Sequence, residues 1–119
     1  MSGLGRLIVL YDDNHISIDG STELSFSENV ALRFAAYGWH TLQVDGNDPL
    51  AVLEGLDVAR AETGRPSLLL CRTTIGYGGP NKANTAGSHG SPLGEEEVRL
   101  SKEQLGLPPD EFFYVPEGV

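Results

Sequence analysis

The sequence predicts an α/β fold: a three-layer open parallel sheet with flanking helices, present here as a partial domain. Two short runs, Leu7-Ile8-Val9-Leu10 and Ser67-Leu68-Leu69-Leu70-Cys71-Arg72, are almost wholly apolar, the pattern of strands buried on both faces of a parallel sheet. Between them, two stretches of helical spacing alternate with one more strand-like stretch. Strand, helix, strand, helix, strand with short connections predicts right-handed crossovers and a parallel sheet. The first strand begins within a few residues of Met1, where a parallel strand ordinarily needs neighbours on both sides. Residues 1–119 are therefore expected to be one domain, and an incomplete one.

The elements follow in order. The first strand stops at Asp12, Asp13 and Asn14, poor strand formers and good turn formers. Residues 21–27 are polar and weakly patterned, a loop with room for single turns. Ser27 is an expected N-cap, with Glu28 at the positive end of the helix dipole. Val30, Ala31, Phe34, Ala35 and Tyr37 form the apolar stripe of that helix, and Gly38 suits the left-handed position past its end.

Residues 39–44 alternate loosely and carry β-branched and aromatic side chains, which predicts a strand. Asp48 and Pro49 read as an N-cap and a first-turn proline. Leu50, Leu53, Leu56, Val58 and Ala59 take the next helix to about Thr63, with Gly64 closing it. After the strand at 67–72 comes a stretch without periodicity, 73–94, then a helix over 95–105. Phe112, Phe113 and Tyr114 are expected to anchor the tail on an apolar surface, and to form a sticky patch in an isolated fragment.

Composition narrows the function. Eight basic residues against seventeen acidic ones give a net charge of −9, which argues against nucleic acid or an anionic membrane as partner. No apolar run approaches the length of a membrane span, and the start lacks the apolar core of a signal peptide. The single cysteine, Cys71, sits in an apolar run and reads as a small buried hydrophobe. One cysteine permits no internal disulfide, which fits a reducing, cytoplasmic setting.

Two stretches carry chemistry. In open α/β sheets ligands sit beyond the carboxyl ends of the strands, which is where Asp12, Asp13 and Asn14 fall. Their oxygens, with the carbonyls of His15 and Ile16, suit a hard cation such as Mg²⁺. An Asx-rich turn capping its own backbone accounts for the same residues. The second stretch, 73–94, is longer than compact domains ordinarily leave unstructured, and such loops are functional or disordered. Its glycines allow close backbone approach to a ligand and equally suit flexibility. Neither GxGxxG nor GxxxxGK[ST] is present. His89, between Ser88 and Gly90, is a candidate phosphate donor or a solvated surface histidine.

Tyr11-Asp-Asp-Asn-His-Ile-Ser-Ile-Asp-Gly20 resembles the second half of the thiamine-diphosphate motif of transketolases. Residues 74–83 followed by Ser88-His-Gly-Ser-Pro-Leu-Gly94 are similar to that family's glycine-rich loop, and Ala36-Tyr-Gly-Trp-His40 is shared with it as well. The resemblance runs nearly end to end. It implies that Asn14 ligates a divalent metal (Mg, or Ca or Mn) and contacts the diphosphate, and that the Ile16 carbonyl is a second metal ligand. Ile18 would pack against the thiazolium ring. His89 would hydrogen-bond the diphosphate and lie close to a bound sugar phosphate substrate. His15 falls at a variable position and His40 is expected to be structural. Many relatives have another histidine three places before His89; here that place is Ala86.

The resemblance implies the C-terminal part of the diphosphate-binding domain of a homodimeric transketolase of the pentose phosphate pathway. In such an enzyme the cofactor, thiamine diphosphate, supplies the chemistry: a two-carbon unit passes from a ketose phosphate to an aldose phosphate. The Gly-Asp-Gly half of the motif, the activating glutamate and the phosphate-binding arginines have no counterpart in these residues, so the chain alone is expected to be inactive. A dihydroxyacetone synthase is a close alternative. Deoxyxylulose-phosphate synthase is disfavoured by the His-Gly-Ser-Pro-Leu-Gly element. A non-catalytic fragment or split subunit that assembles with partner chains is the remaining one.

Overall fold

The computed structural model describes residues 3–17, 20–24 and 28–119. They form two compact units, residues 1–15 with 22–74 and residues 16–21 with 75–119, and each is described by itself.

The first unit is built on three parallel strands, β1 (Ile8–Asp13), β4 (His40–Asp45) and β5 (Ser67–Arg72), in the order β1-β5-β4. Sequence order and spatial order differ because the chain steps from β1 over β5 to β4 and then back. With right-handed connections, an outward step and a return step require helices on opposite faces, which is the three-layer arrangement. β5 is the centre. Residues 67–71 are all buried, and side chains alternate between faces: Leu69 and Cys71 meet Ala59, Ile8, Leu42, Val44 and Leu56 on one, leaving Leu68 and Leu70 on the other.

β1 departs from expectation. It continues through Asp12 and Asp13, so these are strand residues and not turn residues. It is also an edge strand among the described residues, and Leu10 is 52% exposed, not buried on both faces. Among the described residues the central place, with neighbours on both sides, belongs to β5.

Helix α1 (Val30–Ala36) is capped by Asn29, whose side chain accepts the Leu32 N–H at 3.0 Å. The expected cap, Ser27, lies outside the described residues. At the other end Gly38 adopts φ 83°, its N–H donates to the Ala35 carbonyl, and Trp39 N–H donates to that of Phe34. The Phe34 and Trp39 rings meet edge to face at 5.1 Å, completing a Schellman stop with its hydrophobic contact.

Helix α2 (Pro49–Ala61) begins as expected, with Asp48 accepting the Leu50 N–H. Its inward side is Gly55 and Ala59, small enough for close approach to the sheet. Leu50, Leu53 and Val58 are exposed. The helix ends at Ala61, short of Thr63, and Gly64 is not left-handed; instead the Glu62 carboxylate accepts the Gly64 N–H at 2.8 Å. His40 Nδ1 lies 3.1 Å from Ser67 Oγ, which ties β4 to β5 and fits the structural role expected of this histidine.

The second unit holds a small antiparallel pair, β2 (Ile16–Ser17) and β3 (Gly20–Ser21), a single helical turn α3 (Gly87–Gly90) and helix α4 (Glu95–Gln104). The tail does not pack as expected. Phe112 and Phe113 are 81% and 99% exposed, and the Lys102 ammonium lies 5.4 Å from the Phe112 ring centre. A charge-to-ring contact at so exposed a ring holds the tail only weakly.

The burial of β5 gives a direct test. In the 119-residue chain Leu69→Ala should lower the stability read by urea unfolding by about 2–5 kcal/mol. Leu50→Ala, on the exposed side of α2, should change it by less than about 1 kcal/mol.

Candidate cofactor site

The three parallel strands end level with one another. Asp13 and Asp45 both pair with Arg72, and the ladder runs one step further as Thr73 N–H donates to Asp13 O and Gly46 N–H to Arg72 O. The carboxyl edge is therefore a single rim. Its carboxylates are engaged within the unit, Asp45 by accepting the Asn47 N–H at 3.0 Å. Asp12 accepts from the Thr73 hydroxyl, and Asp13 pairs with His15 Nε2 at 3.1 Å and lies 3.9 Å from Arg72 Nη1. These exposed pairs are worth at most about 1 kcal/mol each, so they orient the carboxylates more than they stabilise the fold.

Asn14 follows directly, half-buried, just past the end of β1. His15 then takes φ 58°, a left-handed conformation unusual outside glycine and asparagine, and turns the chain into Ile16 and β2. The carbonyl of His15, read from sequence as an available ligand, accepts the Thr22 N–H at 2.9 Å. Ile18 lies outside the described residues. Burial, and then the Asp12 carboxylate across the ladder, raise the pKa of Cys71, so this thiol stays protonated and packs as a hydrophobe.

The 73–94 stretch is neither a cradle opening a long helix nor an unstructured loop. It is a series of turns fastened to α4. Glu97, 6% exposed, accepts the N–H groups of Asn81 and Lys82 on one carboxylate oxygen at 2.8 Å each, and the Asn81 amide on the other at 2.9 Å. Lys82 extends the fastening in both directions. Its ammonium donates to Leu93 O at 2.6 Å, and its carbonyl accepts from the hydroxyls of Thr85 and Ser88. Two glycines make room: a Cβ on Gly76 (φ 65°) would lie 2.8 Å from Ser88 Oγ, and one on Gly79 would lie 3.1 Å from the Glu97 carboxylate. Their close approaches serve the loop itself. His89 sits in α3, exposed, with its N–H donated to Ala86 O at 3.0 Å.

Asn14 thus lies in the first unit, while Ile16 and His89 lie in the second. An open groove of about 640 Å³ along α4, lined by Leu93, Val98, Lys102, Pro109 and Phe112 among others, includes none of these three. Glu97 and Lys82 were not singled out from sequence. The run Glu95-Glu96-Glu97 opens a helix, where acids are common, and only the fold distinguishes the one turned inward.

The family model described as transketolase, thiamine diphosphate binding domain, matches residues 1–119. The chain belongs to the transketolase family. It is 58% identical over 117 residues to a transketolase of Geobacillus stearothermophilus, covering 98% of this chain and 18% of that one. It is 54% identical over 104 residues to transketolase 1 of Escherichia coli, covering 87% and 16%. Among solved structures, Campylobacter jejuni transketolase superposes with a TM-score of 0.92 at 39% identity, over 97% of this chain and 18% of that one. A Pichia stipitis transketolase in complex with sedoheptulose-7-phosphate gives 0.90 at 42% identity, over 96% and 17%. The chain therefore spans under a fifth of the length of these transketolases. Parallel strands with flanking helices, expected from the strand and helix patterns, are what these structural relatives share with it.

Glu97 gives the transketolase loop a defined response to acid. Its pKa is lowered, first by the hydrogen bond from the Asn81 side chain and then by the Asn81 and Lys82 N–H groups and the Lys82 charge, against an opposing contribution from burial. A folded value below the ordinary 4.5 means that Glu97 stabilises the fold above that pH and ceases to as pH falls through the folded value. Exchange protection of the Asn81 and Lys82 amides should accordingly drop over that acid range, before the amides of β5 do.

Proposed function

We propose that residues 1–119 form the C-terminal part of the thiamine-diphosphate-binding domain of a transketolase, and that their share of the work is to hold the metal and diphosphate end of the cofactor. In this reading Asn14 Oδ1 and the Ile16 carbonyl ligate a divalent cation (Mg, or Ca or Mn). Ile18 walls the thiazolium ring, and His89 donates to the diphosphate beside the sugar phosphate. The observation that carries the reading is the family match over the whole chain, with Asn14 at the carboxyl rim of a parallel sheet.

The residues present fit such a group. Among the described residues no cluster of three or more His, Cys, Asp or Glu is placed to hold a metal. A cation at Asn14 would take neutral hard oxygens from this chain and complete its shell with diphosphate, water and other parts of the polypeptide, which suits Mg²⁺. Arg72 and His15 hold the neighbouring Asp13 carboxylate. When bound, thiamine diphosphate supplies a carbon nucleophile for passing a two-carbon ketol unit from a ketose phosphate to an aldose phosphate. This chain's residues bind and orient: Asn14 and Ile16 fix the cation, and His89 offers a charge-assisted hydrogen bond. The remainder of a transketolase polypeptide, as a homodimer in the cytoplasm, would complete the site.

Cofactor titration at fixed Mg²⁺, in a full-length enzyme carrying this segment, tests the assignments. Asn14→Ala should weaken binding far more than His15→Ala. His89→Ala should raise the cofactor Kd by about one to two powers of ten, the worth of one charge-assisted hydrogen bond. His40→Ala should leave it nearly unchanged. Equal, small effects at Asn14 and His15 would remove the metal assignment, and parent-like binding by His89→Ala would make that histidine a surface residue.

The isolated chain should turn over no sugar phosphate even with cofactor and Mg²⁺ present, since no residue in it matches the activating glutamate. Turnover by purified, sequence-verified 119-residue protein would refute this, whereas activity restored by a complementary fragment would fit.

A further inference from the structure

Among the described residues Glu97 is the buried charged side chain, and a buried carboxylate is costly unless every lone pair that faces protein is met. Here the compensation comes from one place. The three donors that the described residues place on its oxygens belong to residues 81 and 82 of the loop. The N–H groups of Asn81 and Lys82 converge on a single oxygen, which fixes the backbone direction at that point, and the Asn81 amide fixes the other oxygen.

From Lys82 the constraint passes on. Its carbonyl receives the hydroxyls of Thr85 and Ser88, so both ends of the six-residue step from 82 to 88 meet at one oxygen atom. Ser88 immediately precedes His89, and the Cβ-free Gly76 lies against its hydroxyl. The helical turn that carries His89 is therefore linked to α4 by consecutive hydrogen bonds, Glu97 to Lys82 to Ser88. The Lys82 ammonium on Leu93 O and Pro92 O closes the loop from its far side.

We propose that Glu97 is a positioning residue for His89: its carboxylate holds the loop in place before cofactor arrives, so that little of the ordering cost is left for the binding step. This rests on the reading of His89 as a diphosphate donor. A residue that merely stabilised the domain would act on the whole unit alike; a positioning residue acts through His89 and nowhere else.

The experiment is a double-mutant cycle in the full-length enzyme, read by thiamine diphosphate titration at fixed Mg²⁺ and by amide exchange of the cofactor-free protein. Glu97→Ala should lower protection of the 81–90 amides at least about tenfold while leaving β5 protected, and should raise the cofactor Kd about tenfold, the net worth of one hydrogen bond. Glu97→Gln, which keeps an oxygen for the two N–H groups, should recover most of both. In a His89→Ala background Glu97→Ala should raise Kd little further. Fully additive effects, or loss of loop protection with Kd unchanged, would overturn the proposal. If His89→Ala itself binds cofactor like the parent, the cofactor reading of His89 fails, and unchanged loop protection in Glu97→Ala would separately refute the clasp. Should Glu97→Ala not fold, Asn81→Ala removes only the amide bond from the exposed partner and is read in the same way, with the same outcomes deciding.

Discussion

The first unit depends on the pairing of β5 with a parallel strand on each side. Ser67 to Arg72 meets β1 and β4 residue for residue, so Asp13, Arg72 and Asp45 fall on one line. Parallel strands bond in an evenly spaced ladder, and level strand starts force level strand ends. The rim on which Asn14 stands is thus a consequence of register, set by how Leu68 to Cys71 bury on both faces. Shifting that register by one residue would send Leu69 and Cys71 to the opposite face and carry the rim with them.

The second unit solves a different problem. A long stretch rich in glycine has no ladder to join and must find its order from side chains. It does so around one carboxylate: Glu97 accepts backbone N–H groups that helix and strand would otherwise satisfy, and Lys82 relays the connection to Ser88. The negative charge is tolerable in a partly dehydrated place because three donors and the Lys82 charge act on it, the same causes that lower its pKa. The glycines at 76 and 79 then have a packing purpose, since side chains there would displace Ser88 or the carboxylate.

These two solutions explain what could be read from the sequence. β5 was legible to the residue because an uninterrupted apolar run has few other homes, and Asp48-Pro49 marked the start of α2 because cap and proline agree. Gly38 was legible for a similar reason, a stripe followed by a glycine, while the Phe34–Trp39 ring contact that completes the stop emerged only in the fold. Helix starts and ends set by a single polar side chain were not. Asn29 and Glu62 do work that Ser27 and Gly64 were expected to do, and short polar residues near a helix end compete on nearly equal terms. At the site, the rim position of Asn14 followed from strand pattern, whereas the left-handed His15 and the inward-facing Glu97 depend on tertiary context that no local pattern encodes.

The surface carries the last physical argument. Leu10 on β1, Leu50 and Leu53 on α2, and Phe112 and Phe113 in the tail are all exposed, although Leu10 belongs to a run patterned for burial on both faces. Parallel sheets are ordinarily covered on both faces, and a strand edge without a neighbour is a template for pairing with another chain. Among the described residues β1 has a neighbour on one side only. Among the described residues of the first unit, hydrophobic burial is therefore concentrated on β5 and the strip of α2 that faces it, and falls away toward β1. Stability within that unit should follow the gradient, with β5 the last segment to open.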